Sequence, residues 1–213
     1  MAGRSKISQL NVKMSDDTTE NWLKFLNPES LKQNLIRASI YLTCWEMLKE
    51  CLLDQPRGFF SHEFRDGKWI VDSNYKTKVL SLENDPLIAS ATWFRDQKAL
   101  SDEDIALLLI LRTHRNEIAH ELPKILGTVE SDVRLDFLNG VYYLTEKADK
   151  WWIQNIEIPT NPEFDNREFS EEELNGVKSS RMISMSLLIA VANGQEDQLR
   201  WLYEEMKKKF PNG

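Results

Sequence analysis

The sequence predicts an all-α protein: a helical bundle with a small β-hairpin insertion near 59–72 and extra helices toward the C-terminus. Three observations predict it. Apolar residues recur at spacings of three and four over several long stretches, the pattern of helices that bury one face. Those stretches open on Ser or Pro and close near Pro, Gly or Asn, the residues that start and stop helices. The hairpin signal, Asp66-Gly67 between two aromatic-rich runs, stands outside that pattern.

Residues 1–18 are polar and read as a loose arm, followed by a bundle over 19–156 with an insertion at 55–85, and a helical extension over 157–213 packed on it. A short helix over 19–27 stops at Asn27-Pro28. Ser30 then offers an N-cap for a core helix over 30–54, whose apolar positions Leu31, Leu35, Ala38, Leu42, Trp45, Leu48 and Leu52 keep the helical period. Gln55-Pro56-Arg57-Gly58 ends it. Glu46 lies beside that apolar stripe, where it either orients a partner arginine or stays solvated. Pro86 suits the first turn of a helix over 86–98. Ser101 and Asp104 form a capping pair for the next helix, whose run Ile105 to Leu111 is apolar all round and predicts burial on most sides. Pro123 bends or ends it. A further long helix spans 131–156, with Gly140 allowing close approach of a neighbour. After a turn-rich link, Ser170 caps a short helix, and helices near 179–192 and 195–210 follow, divided by Asn193-Gly194.

The 213 residues suffice for one sizeable core, and seven Trp predict indole packing between helices. A net charge of −7 argues against a general nucleic-acid coat protein, yet leaves room for a local basic cleft. Cys44 and Cys51 are seven apart on one helix face, about 10 Å by rise alone, which is too far for a disulfide. They read as reduced core thiols of a soluble, cytoplasmic protein. The three His, at 62, 114 and 120, do not fall at zinc-site spacings, so we expect no metal and no cofactor. The basic start Met1-Ala2-Gly3-Arg4-Ser5-Lys6 is followed by no apolar run of signal length, and no run reaches membrane-spanning length.

The chemistry concentrates in Leu111-Arg112-Thr113-His114-Arg115-Asn116-Glu117-Ile118-Ala119-His120-Glu121-Leu122-Pro123. Asn116 and His120 are four apart and share a helix face, so the amide is placed to hold the imidazole in one tautomer. Arg115 and His120 are five apart, about 140° around the axis, and reach one phosphate through the length of arginine or a disturbance at Pro123. Arg112, His114 and Lys124 are candidate substrate-binding groups around the catalytic candidates Arg115, Asn116 and His120. Glu46 is a candidate orienting group.

Arg115-Asn116-x-x-x-His120 resembles the signature of the HEPN superfamily, and the helical bundle resembles its fold. The resemblance implies a metal-independent endoribonuclease that cuts RNA by 2′-hydroxyl transesterification, like the HEPN enzymes of toxin and phage-defence systems. It also implies a homodimer in which two motifs face each other, with an antitoxin or other regulatory protein as a further partner. The competing expectation is a catalytically inactive RNA-binding or protein-interaction module of the same fold.

Overall fold

A computed structural model of the chain describes residues 16–165 and 167–210. Among these residues the fold is all-α apart from one two-stranded antiparallel hairpin. The helices are α1 (Asp16–Leu26), α2 (Pro28–Phe59), a single turn α3 (Ser73–Tyr75) that runs into a π-helical turn at Lys76–Leu80, α4 (Pro86–Asp96), α5 (Asp102–Gly127) and α6 (Leu135–Trp152). Then come a second π-helical turn at Ile153–Glu157, the single turn α7 (Ile158–Thr160), a 3-10 turn at Pro162–Phe164, α8 (Glu171–Gly176), α9 (Ser180–Ala192) and α10 (Asp197–Lys209). The hairpin pairs β1 (Ser61–Arg65) with β2 (Lys68–Val71) across Asp66-Gly67, both at positive φ. Of the arm expected over 1–18, residues 1–15 lie outside the described residues, and Asp16 to Thr18 belong to α1.

Helix α2 is the spine, packed by α4, α5, α6 and α9. It starts earlier than Ser30, because Asn27 is the better cap: its Oδ1 accepts from the Glu29 and Ser30 amides at 3.1 and 3.2 Å, and Pro28 needs no partner in the first turn. It also runs through Pro56 to Phe59. A proline there removes one helical hydrogen bond. The offset is aromatic packing: Phe59 meets Trp93 and Trp152 at centroid distances of 6.4 and 6.2 Å, and Phe60 meets Trp93 and Tyr75 at 6.4 and 6.3 Å. Trp151 stacks edge-on against Trp93 and Phe94, so this aromatic cluster joins α2, α4 and α6 at one end of the bundle.

Helix α5 is less buried than its apolar run predicts. Leu108 and Leu111 are fully buried, but Leu109 and Ile110 are 43% and 51% exposed. The core covers one side of α5 and leaves the other open. Gly140 on α6 fits its expected role, since a Cβ there would lie 3.2 Å from Leu111 Cδ2. Helix α6 begins at Leu135, after an extended stretch that includes buried Val133, rather than at 131.

Helix α9, in the C-terminal part of the chain, is held on α2 and α6 by a buried carboxylate. Asp149, 1% exposed, accepts from Gln55 Nε2 at 2.7 Å, Cys51 Sγ at 3.3 Å, Ser179 Oγ at 2.6 Å and Arg181 Nη1 at 2.6 Å. Ser179 also caps α9 through the Met182 amide. Burial, reinforced by the Asp149 charge, pushes the Cys51 thiol well up, so it stays protonated and donates. Burial alone pushes Cys44 up to about 12.

Removing Asp149 strands Arg181 and leaves Gln55 Nε2 and Ser179 Oγ without an acceptor. We expect Asp149→Ala to cost about 3–5 kcal/mol in urea denaturation. A loss below about 1 kcal/mol would mean that the Asp149 cluster does little to hold α9.

Candidate functional site

At about 100° per residue, α5 divides into three faces in the region of interest. Leu108, Leu111, His114 and Ile118 face the core. Arg112, Arg115 and Asn116 face a cleft of about 360 Å³ between α2, the start of α4 and α5. Ala106, Leu109, Ile110, Thr113, Glu117 and His120 form an exposed stripe. Asn116 lies at the border between the cleft and the stripe.

The cleft is lined by Lys49, Arg112 and Arg115 against Glu46 and Asp85, a net of one positive charge in a chain of net −7. Arg112 Nη1 lies 2.7 Å from Asp85 Oδ2, while Asp85 Oδ1 caps α4 through the Leu87 and Ile88 amides. Partial burial would raise the Asp85 carboxyl, but the Ile88 amide and Arg112 overcome it and hold the group below the usual range. Arg112 therefore fixes α5 to the start of α4 as well as adding charge.

Arg115 is held more loosely. Its Nη2 lies 3.4 Å from Glu46 Oε1 and its Nη1 donates to Asn116 Oδ1 at 3.3 Å. Its Nε is buried and has no hydrogen-bond partner among the described residues. A guanidinium has five donors, and a stranded buried donor is unfavourable until an acceptor reaches it. Glu46 is shared with Lys49 Nζ at 2.8 Å, and the Lys49 hydrogen bond, with Arg115 adding to it, keeps the carboxyl ionised and below its ordinary range.

The sequence-predicted residues thus separate. Glu46, Arg112, Arg115 and Asn116 meet at the cleft. His120 is exposed one turn on, outside the cleft lining, and the Asn116 carbonyl that was expected to steady it turns to Arg115 instead. Directly after His120 the backbone breaks at Glu121, with φ −118° and ψ 20°, because Pro123 supplies no amide and its ring crowds the preceding turn. Lys124 lies beyond this break, exposed and paired with Glu121 at 2.8 Å. The helix still continues to Gly127, since Ile125 enters the core and Lys24 of α1 binds the end. Lys24 Nζ donates to the Ile125, Thr128 and Ser131 carbonyls and pairs with Asp132 at 2.8 Å.

His114, expected among the substrate contacts, is 5% exposed. It sits edge-on between Tyr41 and Phe137, each at a centroid distance of 5.0 Å. Its Nε2 accepts from the Arg134 amide at 3.4 Å, which leaves the proton on Nδ1 to donate to Glu117 Oε2 at 3.2 Å. Both nitrogens are engaged and the ring is buried between two aromatic neighbours, so no substrate reaches it.

Lys49 and Asp85 are the cleft residues that sequence reasoning missed. Lys49 was findable as the residue three after Glu46 on the same helix. Asp85 was readable as a cap before Pro86, but not as the partner of Arg112. Among the described residues, no group of three or more His, Cys, Asp or Glu side chains is placed to hold a metal ion, and no helix is long and apolar enough to cross a membrane. No family model, curated protein or solved structure matches the chain.

We expect His114→Ala to cost about 3 kcal/mol in urea denaturation, through a cavity between two rings and an orphaned Arg134 amide. A change within about 0.5 kcal/mol would place His114 with surface residues.

Proposed function

We propose that the chain is a metal-independent endoribonuclease of the HEPN type, which cuts single-stranded RNA by transesterification. The observation that carries this reading is Arg115. Its buried Nε, unpartnered among the described residues, sits at a net-positive cleft, on the same helix as an exposed His120 five residues later.

In the proposed reaction a base removes the proton of the ribose 2′-hydroxyl, and that oxygen attacks the adjacent phosphorus. The bond from phosphorus to the 5′-oxygen breaks, and an acid gives the leaving oxygen a proton. The products are a 2′,3′-cyclic phosphate and a 5′-hydroxyl end. Arg115, with Arg112 and Lys49 behind it, offsets the charge that grows on the phosphorane. Glu46 holds the guanidinium until substrate arrives. His120 is the proton carrier.

One histidine fills one of the two proton-transfer roles. A second copy of the chain supplies the other if the two protomers pair through α5. The exposed stripe suits this: Ala106, Leu109, Ile110 and Thr113 give an uncharged strip, and Glu117 and His120 follow it on the same face. Pairing there covers Leu109 and Ile110 and brings two His120 side chains to one seam. The setting we propose is cytoplasmic, on cellular RNA, in a toxin or phage-defence role under an antitoxin or similar regulatory protein. A non-catalytic RNA-binding module is the second reading. It is favoured by the Glu46 carboxylate, which already occupies Arg115 and competes with phosphate.

Purified protein should cut single-stranded RNA in the presence of EDTA and leave cyclic phosphate ends. His120→Ala should lower the rate about 10²–10⁴-fold with an unchanged circular dichroism spectrum, because the side chain is exposed. A wild-type rate in the variant, or activity that needs added Mg²⁺, would overturn the assignment.

Ile110→Glu places a charge in the proposed seam without touching the cleft. Mass measurement in solution at micromolar concentration should show a dimer for the parent and a monomer for the variant, and cleavage should fall with the dimer. A monomeric parent that cleaves RNA would remove the pairing from the mechanism.

A further inference from the structure

A second cavity, of about 580 Å³, opens where the end of α2 meets the hairpin. It is lined by Asp54, Arg57, Gly58, Ser61, Lys68 and Trp69. Trp69 is 63% exposed, and its cross-strand neighbour Phe64 is 61% exposed, with the rings 5.4 Å apart and edge-on. This exposed pair at a cavity mouth stands apart from the aromatic cluster that joins α2, α4 and α6. The cations beside it are also free. Arg65 on the hairpin is paired with Glu63 at 2.7 Å, but neither Arg57 nor Lys68 has a carboxylate partner among the described residues. Two free cations against one acid, Asp54, leave the cavity net positive.

The cavity lies further along the same helix as the cleft. Glu46, Lys49, Leu53 and Arg57 are spaced by three, four and four, so they share one face of α2. Lys49 and Leu53 line the Arg115 cleft, and Arg57, one turn later, lines the cavity. Glu46 and Arg57 are about 16 Å apart along the helix.

We propose that this cavity is a base-stacking subsite for the same single-stranded RNA, with Trp69 as the platform and Arg57 and Lys68 as the phosphate contacts beside it. The proposal rests on the reading of the chain as an RNA-cleaving protein. A flexible strand with its scissile phosphate at Arg115 runs along α2 past Lys49 and Leu53, and an unpaired base a few nucleotides away stacks on Trp69. Stacking on an aromatic ring tolerates any base but requires that the base be unpaired. The subsite therefore selects single strands over duplexes rather than one sequence over another.

The test uses the full chain carrying His120→Ala, so that RNA binds without being cut, and a single-stranded oligonucleotide containing 5-iodouridine. Adding Trp69→Ala should weaken binding about 10-fold, the loss of one base stack, whereas Trp69→Phe should keep most of the affinity. Adding Arg57→Ala and Lys68→Ala together should flatten the dependence of log K on log salt by about 1.4. Irradiation should crosslink the RNA to Trp69, read by mass spectrometry. If Trp69→Ala binds as tightly as its parent and the crosslinks fall elsewhere, the subsite is wrong while cleavage by the wild type still stands. A wild type that neither cuts nor binds single-stranded RNA overturns both.

Discussion

The rotational setting of α5 is fixed by His114, and the site follows from it. The imidazole is wedged between Tyr41 and Phe137, and its Nε2 is held by the Arg134 amide, while Glu117 of the same helix holds Nδ1. Tyr41 adds a second tie by donating to the Leu111 carbonyl at 2.9 Å, and Leu111 packs under Gly140. A helix with its core face locked in this way cannot turn. Arg112 and Arg115 must then face α2, and the stripe ending in His120 must face outward. The histidine that does no chemistry decides where the proposed catalytic one points.

Charge placement on an acidic chain follows the same economy. Three cations meet at the cleft, and both carboxylates among them also have structural roles, since Asp85 caps α4 and Glu46 holds Lys49. Arg112 is tied to Asp85 through one short Nη1 contact, whereas Arg115 keeps one buried donor with no partner among the described residues. That difference is why Arg115, rather than Arg112, is the proposed seat for an incoming oxyanion. A phosphate that replaces weak, long contacts to Glu46 and Asn116 and satisfies Nε displaces little and gains a charge-assisted bond.

What the sequence made legible was local. The caps at Ser101 and Ser170, the Asp66-Gly67 turn and the close approach at Gly140 each depend on residues within a few positions or on the size of one side chain. Failures arose where distant partners override local preference. Pro56 did not end α2 because Phe59 and Phe60 find Trp93 and Trp152. At Pro123, where a bend or an end was expected, α5 bends, and it continues because Lys24, 101 residues from Ile125, binds its end. The run Ile105 to Leu111 suggested burial on most sides, yet composition does not reveal which side of a helix the bundle covers. At the site, Arg115 with Asn116 was readable as an adjacent pair. The separation of His114 from His120 was not, because a histidine's role depends on the face its helix turns to the core.

Helix α2 links these observations. Counted around its axis, Cys51 and Gln55 lie on the side opposite Lys49, Leu53 and Arg57. The first pair is bound to Asp149 together with Ser179 and Arg181, and the second set lines the cleft and the hairpin cavity. A helix cannot move one face without the other. The buried Asp149 cluster, formed in part by α9, therefore sets the roll of α2 and with it the line from the Arg115 cleft to Trp69. On this view α9 is more than a covering layer. It clamps the back of the helix whose front carries the proposed path of the RNA, so loosening the clamp should disturb the cleft and the cavity together.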